Sequence, residues 1–79
     1  MIFEEIYKHH FGDLAWCENC GVHDRLNFIL INQDGKNEHE NIICLCNKCF
    51  KAFNDGFISR SDLRYMHIVR MNAHERTLR

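Results

Sequence analysis

The sequence reads CENC at residues 17–20 and CNKC at residues 46–49, so two cysteine pairs stand on either side of residues 21–45. Two cysteines three positions apart on a tight turn can direct both sulfurs at one ion, and two such turns complete a tetrahedral sulfur site that suits zinc. The spacing therefore predicts one structural Zn²⁺ ion, with the expected ligands Cys17, Cys20, Cys46 and Cys49. Four thiolates leave no open coordination position, so such an ion would stabilise the fold and would not act as a Lewis acid.

Other arrangements of these cysteines are two disulfides, buried free thiols or an iron–sulfur cluster. The chain contains five cysteines, and an odd number argues against a fully paired disulfide framework. Paired cysteines with strand-like segments between them are more typical of a zinc site than of a cluster. The fifth cysteine, Cys44, is expected to be a small buried strand residue and not a ligand.

Length and composition favour a small domain that needs such a metal. A chain of 79 residues has a marginal core, and 46% apolar residues are too many for a disordered tail. Charged residues interrupt positions 1–16, so no signal peptide is expected, and no apolar run approaches the roughly 18–20 residues of a membrane span. We therefore expect a cytoplasmic protein in a reducing compartment, where thiols stay available to a metal.

Apolar periodicity and turn residues predict the order helix, cysteine turn, strand, strand, cysteine turn, helix, helix. The predicted bounds are a helix over 2–11, strands over 26–31 and 41–45, and a short helix from Phe50 to Asn54. The chain is therefore expected to form one α+β zinc-binding domain over residues 1–79, with its zinc core at about 14–56.

A final helix is predicted over about 60–76. Ser59 and Asp62 have the spacing of a capping box, with Asp in place of Glu. The expected apolar stripe of this helix consists of Leu63, Met66, Val69 and Ala73.

Residues 14–54 resemble the zinc-bearing HNH nuclease family. The segment Cys17–Gly21 is similar to the first cysteine turn, or knuckle, of that family, and Leu26–Ile31 is similar to its first strand. Residues 40–49, ENIICLCNKC, are similar to its Glu-Asn-Leu segment and second knuckle. The resemblance implies a ββα-metal, treble-clef-like core, here with an added helix at each end.

The catalytic residues of that family are missing from the matching positions. The family places a His-His pair in the first strand, as general base and catalytic-metal ligand, and these positions fall on Ile29 and Leu30. A third family His, directly after the last cysteine, is replaced by Phe50, and only the middle Asn is kept, as Asn41. Its family role is mainly to hold the loop. Since Ile, Leu and Phe offer no lone pair to a metal and no exchangeable proton, we predict that nuclease chemistry is absent.

The preferred functional hypothesis is a non-catalytic binding or regulatory module that acts through protein–protein contacts. Ile29, Leu30 and Phe50 would either extend the core or form an exposed apolar patch used against a protein. Residues 1–56 carry five Lys/Arg and nine Asp/Glu, so this acidic half could meet a basic partner. The nucleic-acid channel of a polymerase or nuclease would be such a partner.

Two other functions stay open at this point. Residues 57–79 carry five Arg and two acids, so the last helix could contact nucleic-acid phosphates or another partner. Its candidate contacts are Arg60, Arg64, His67, Arg70 and His74. An active nuclease with rearranged residues is the second alternative. An amphipathic helix at each end makes a homodimer possible.

Overall fold

Three helices enclose a two-stranded sheet in the computed structural model, which describes residues 2–77. The elements follow in the order α1 (Ile2–Phe11), β1 (Leu26–Leu30), a single 3₁₀ turn (His39–Asn41), β2 (Ile42–Cys46), α2 (Asn47–Asn54) and α3 (Arg60–Thr77). The first and last helices begin where the sequence predicts, and the strand ends differ from the prediction by one residue. Helix α2 begins earlier than predicted, at Asn47, because its first turn includes Cys49.

The sheet is antiparallel, and β2 is the more buried of its two strands. Leu26 lies opposite Cys46 and Leu30 lies opposite Ile42. Every residue of β2 is buried, whereas every residue of β1 is half-buried. The far edge of β2 is occupied by Glu18, whose backbone N–H donates to the carbonyl of Cys44. Within residues 2–77, β1 pairs only with β2, so its other edge has no strand beside it.

Two apolar clusters lie on the two faces of the sheet, because successive strand residues point to opposite sides. On one face, Tyr7, Phe11 and Ala15 pack against Ile42 and Cys44. On the other face, the core consists of Cys17, Ile31, Ile43, Leu45, Cys46, Cys49 and Leu63. Cys44 is therefore a buried strand residue outside the four-cysteine group, as the sequence predicts.

Helix α3 folds back onto the sheet and does not project as an arm. Its start is a capping box, since the Ser59 N–H donates to Asp62 and the Asp62 N–H donates to the Ser59 hydroxyl. Leu63 is fully buried, and the Arg60 guanidinium donates to the carbonyl of Ile31 at 2.6 Å. The predicted cap is thus confirmed.

The predicted apolar stripe of α3 is wrong in its second half. Val69 is 51% exposed, and Ala73 is exposed as well. The buried positions are instead Leu63, His67 and Arg70. The helix therefore turns two polar side chains inward and leaves apolar ones outside.

The described residues form a small compact α+β fold with extents of 37 × 27 × 24 Å. No helix within residues 2–77 combines the length and the apolar character that a membrane crossing requires.

Candidate metal centre

The four predicted ligands meet at one place. Cys17 and Cys20 lie on the turn that precedes β1, Cys46 is the last residue of β2, and Cys49 lies in the first turn of α2. Their sulfur atoms all lie within 4.8 Å of one another. Three of these cysteines are buried and Cys20 is exposed. Four converging sulfurs can hold a metal ion such as zinc.

Local backbone geometry explains how the first pair forms its turn. The Gly21 N–H donates to the Cys17 carbonyl at 2.8 Å, and the Cys17 N–H donates to the Val22 carbonyl at 2.8 Å. These bonds close a loop that requires a left-handed backbone at Gly21, with φ of 86°. Glycine adopts this conformation without steric cost. Both sulfurs are thereby held on one side of the turn.

The second pair uses the beginning of a helix. Cys46 is the N-cap residue of α2, and Cys49 follows in its first turn. The N-terminal end of a helix carries partial positive charge, which favours thiolates over thiols. The side-chain amide of Asn19 donates to the Cys49 sulfur at 3.3 Å, so the first turn also supports a ligand of the second.

The acidities of two thiols differ strongly. Burial raises the pKa of Cys17, but the N–H groups of Cys46, Cys20 and Asn19 outweigh burial and lower that pKa to about 7. Burial raises the pKa of Cys49 to about 12, helped by neighbouring thiols. One sulfur is therefore ready to bind a cation near neutral pH. The Cys49 thiol, in contrast, requires the charge of the ion itself to release its proton at that pH.

A buried carboxylate lies inside the first cysteine turn, and sequence reasoning missed it. The Glu18 side chain is 1% exposed and accepts hydrogen bonds from the Tyr7 hydroxyl at 2.9 Å and the Cys44 N–H at 3.1 Å. His67 Nδ1 lies 2.9 Å from the same carboxylate. No sequence signal identifies this role, because a Glu between two cysteines of a turn has the pattern of an exposed residue.

Two hydrogen-bond partners hold the His67 ring in place. Its Nδ1 lies against the Glu18 carboxyl group and its Nε2 against the carbonyl of His39. A carbonyl oxygen only accepts hydrogen bonds, so Nε2 is the donor to His39, and Nδ1 shares a hydrogen bond with Glu18. The pair joins α3 to the first cysteine turn and to the 3₁₀ turn. Burial and the Glu18 carboxylate raise the pKa of Tyr7 well above its ordinary range, which keeps its hydroxyl a donor.

The predicted partner contacts of α3 are mostly engaged within the fold. His67 is 1% exposed, and Arg70 is 9% exposed with its guanidinium over the rings of Phe11 and Trp16, at 4.5 and 4.3 Å. Two of the five candidate contact residues, His67 and Arg70, are therefore buried and not available at the surface.

The other three candidates differ in their surroundings. The Arg60 guanidinium bonds the Ile31 carbonyl, and the His74 ring lies 5.2 Å from the ring of Phe11. Arg64 is the remaining candidate. Its side chain is exposed and makes neither a hydrogen bond nor a ring contact with the described residues. Together these positions do not form a basic strip along α3.

Three positions that the resemblance aligns with family histidines, Ile29, Leu30 and Phe50, meet at an apolar groove. Ile29 packs on the metal side of the sheet and Leu30 on the α1 side, yet both line one cavity of about 290 Å³ together with Phe50. The cavity lies at the free edge of β1, because residues from both faces of the sheet line it. Its other apolar walls are Phe3, Phe28 and Phe53. A second cavity of about 190 Å³ continues along β1 past Leu26 and Asn27. All three positions are half-buried, so they both extend the core and present an apolar surface.

Asn41, the position that the resemblance keeps, holds the loop between the strands. Its side-chain oxygen accepts from the Asn32 N–H at 2.9 Å. Its amide donates to the carbonyls of Asn32 at 2.8 Å and Lys36 at 3.1 Å. Gly35 packs so closely that a Cβ there would lie 2.6 Å from the Asn41 amide nitrogen. The loop therefore needs glycine at this position and an amide at Asn41.

No protein-family model matches this chain, and no curated protein or solved structure is significantly similar to it. The described residues show a small α+β fold with a four-cysteine cluster. The resemblance to HNH nucleases therefore remains a prediction from the sequence.

Proposed function

We propose that this chain is a non-catalytic, HNH-like zinc module that binds a protein partner through the apolar groove at the free edge of β1. The main support for the proposal is that Ile29, Leu30 and Phe50 all line that groove. These side chains cannot ligate a catalytic metal or transfer a proton, but they can bury apolar surface. The proposed partner belongs to the machinery that handles nucleic acid, since the acidic excess of residues 1–56 suits a basic nucleic-acid channel.

The order of elements supports the HNH-like assignment. An antiparallel pair, β1 and β2, is followed directly by α2, and the two cysteine pairs lie before β1 and at the β2–α2 junction. This succession is what a ββα-metal, treble-clef-like core requires. The three hydrogen bonds of the Asn41 side chain fit the loop-holding role that the family gives to its Asn.

Zinc is the ion that the donor set fits best. Four sulfur ligands in a closed arrangement suit Zn²⁺, and a hard cation such as Mg²⁺ prefers oxygen. Elemental analysis of protein purified without chelator should give one zinc per chain. Retention of iron with its visible absorption, or no bound metal at all, would contradict the assignment.

The shape of the groove favours an extended segment of the partner. The free edge of β1 offers backbone groups that no strand pairs within residues 2–77. Phe3 on the α1 side and Phe50 and Phe53 on the α2 side flank that edge. An extended apolar segment could pair with β1 while its alternating side chains enter the two sides of the groove.

Site-specific photocrosslinking tests the proposal. A benzoylphenylalanine residue at position 3 or 50 should trap one discrete partner from an extract of the source cell. The matched control is the same residue at position 57, since Phe57 is 82% exposed and does not line the groove. Equal crosslinking from all three positions, or none from positions 3 and 50, would contradict the groove as the binding site.

A plasmid-nicking assay tests the non-catalytic part separately. The zinc-loaded protein with added magnesium, manganese or nickel should leave supercoiled DNA intact. Nicking that disappears in His23→Ala or His39→Ala would show that the catalytic site has been rebuilt from other residues.

A further inference from the structure

The outward face of α3 is apolar, although its inward face carries His67 and Arg70. Tyr65 is 71% exposed, Ile68 is 50% exposed and Val69 is 51% exposed. Side chains three and four positions apart are neighbours on a helix, so these three form one continuous patch. A helix that buries charged groups and exposes large apolar ones has the pattern expected of an interface on its outer side.

Charged residues line both flanks of this patch in an alternating order. Arg64 and Glu75 lie about three turns apart and therefore share one flank. Asp62 and Arg76 lie about four turns apart and share the other flank. Each flank thus has one positive and one negative end. No described residue forms an ion pair with Arg64, Glu75 or Arg76, and Asp62 uses one carboxylate oxygen for its capping bond.

We propose that this face binds a second copy of the chain, with the two α3 helices antiparallel around a two-fold axis beside Val69. In an antiparallel pair each flank of α3 lies beside the same flank of the other copy. The two helices run in opposite directions, so the N-terminal end of a flank lies beside the C-terminal end of its counterpart. Arg64 then lies opposite Glu75 of the partner subunit, and Asp62 lies opposite Arg76 of the partner subunit. The pairings are centred between residues 69 and 70 and at residue 69, so both place the axis at the Val69 end of the apolar patch.

The antiparallel arrangement is favoured over the parallel one by the helix dipoles, whose opposite ends then lie side by side. The contact is short, since a helix of 18 residues is about 27 Å long. An interface of that length falls at the small end of the range for specific complexes. The dimer is therefore reversible and depends on protein concentration.

Analytical ultracentrifugation of the zinc-loaded chain from about 1 to 500 μM tests the proposal in the range where small interfaces associate. The expected result is a monomer–dimer equilibrium whose dissociation constant rises at least about tenfold in Ile68→Glu. The control Phe57→Glu introduces the same charge away from α3 and should leave the constant unchanged. The near-UV signal of Trp16 shows whether each variant is folded.

Charge exchange distinguishes the two orientations. Arg64→Glu and Glu75→Arg should each weaken the dimer, because each places like charges opposite one another in the antiparallel pair. The double variant should restore it, since the pair is re-formed with its signs exchanged. In a parallel pair Arg64 would instead face Asp62 of the partner subunit, and the double variant would not be restored. A monomer at every concentration, a dimer indifferent to Ile68→Glu, or no restoration in the double variant would overturn the proposal.

Discussion

Replacing His67 by alanine should remove a large part of the stability of this fold. We predict that Glu18 and His67 form a buried ion pair, and removing one member of such a pair costs about 3–5 kcal/mol. The carbonyl of His39 also loses the His67 donor, but it keeps the hydrogen bond from the Ile42 N–H. The total unfolding free energy of a chain of 79 residues is about 4–12 kcal/mol. His67→Ala should therefore remove a large share of that free energy.

Urea titration at saturating zinc measures this loss, and a double-mutant cycle identifies its cause. In the wild type, Glu18→Gln removes the negative charge and should destabilise the fold. In the His67→Ala background the same substitution should be neutral or stabilising, because the carboxylate is already unpaired. The expected coupling is about 1–3 kcal/mol. His9→Ala is the matched control, since His9 is exposed on α1, and it should change stability by less than about 0.5 kcal/mol. Additive effects of the two substitutions, or a loss below about 1 kcal/mol for His67→Ala, would refute the buried ion pair.

Three further measurements follow from the loop, the buried hydroxyl and the metal. Gly35→Ala should lose about 1–3 kcal/mol in the same titration, because the new Cβ displaces the Asn41 amide, and an unchanged midpoint would contradict the close contact. The raised pKa of Tyr7 means that only the unfolded chain loses this proton near pH 10, so stability is complete below about pH 10 and falls above it. In Tyr65→Phe, which leaves Tyr7 as the single tyrosine, phenolate absorbance should rise only as the chain unfolds at alkaline pH, whereas a rise at pH 10 with the fold intact would disprove the shift. Zinc removal by a strong chelator should abolish the near-UV signal of Trp16, and a retained signal would mean that the fold does not need the metal.

The parts of this fold that depend on local pattern could be predicted from the sequence. The cysteine spacing identified the cluster, because each pair needs only its own turn to align two sulfurs. The capping box at Ser59 and Asp62 is equally local. The strands were found within one residue because their apolar runs end at turn formers.

The orientation of α3 could not be predicted, because it depends on partners that are distant in the sequence. His67 and Arg70 are polar residues, and a prediction from apolar periodicity places such residues on the solvent side of a helix. The fold instead supplies a buried carboxylate at Glu18 for the first and aromatic rings at Phe11 and Trp16 for the second. These contacts determine which face of α3 packs on the sheet, and Val69 lies on the opposite, solvent-exposed face.

The buried position of Glu18 also constrains the order in which the protein is assembled during translation. Its partner His67 is synthesised 18 residues after Cys49, the last of the four cysteines. At typical synthesis rates the four cysteines are therefore made about 1–4 s before His67. We therefore expect α3 to join last and to complete a cluster that is already loaded. A chain that ends at residue 58 should bind zinc but leave Glu18 accessible to water, and failure of that shortened chain to take up zinc would show that the helix must come first.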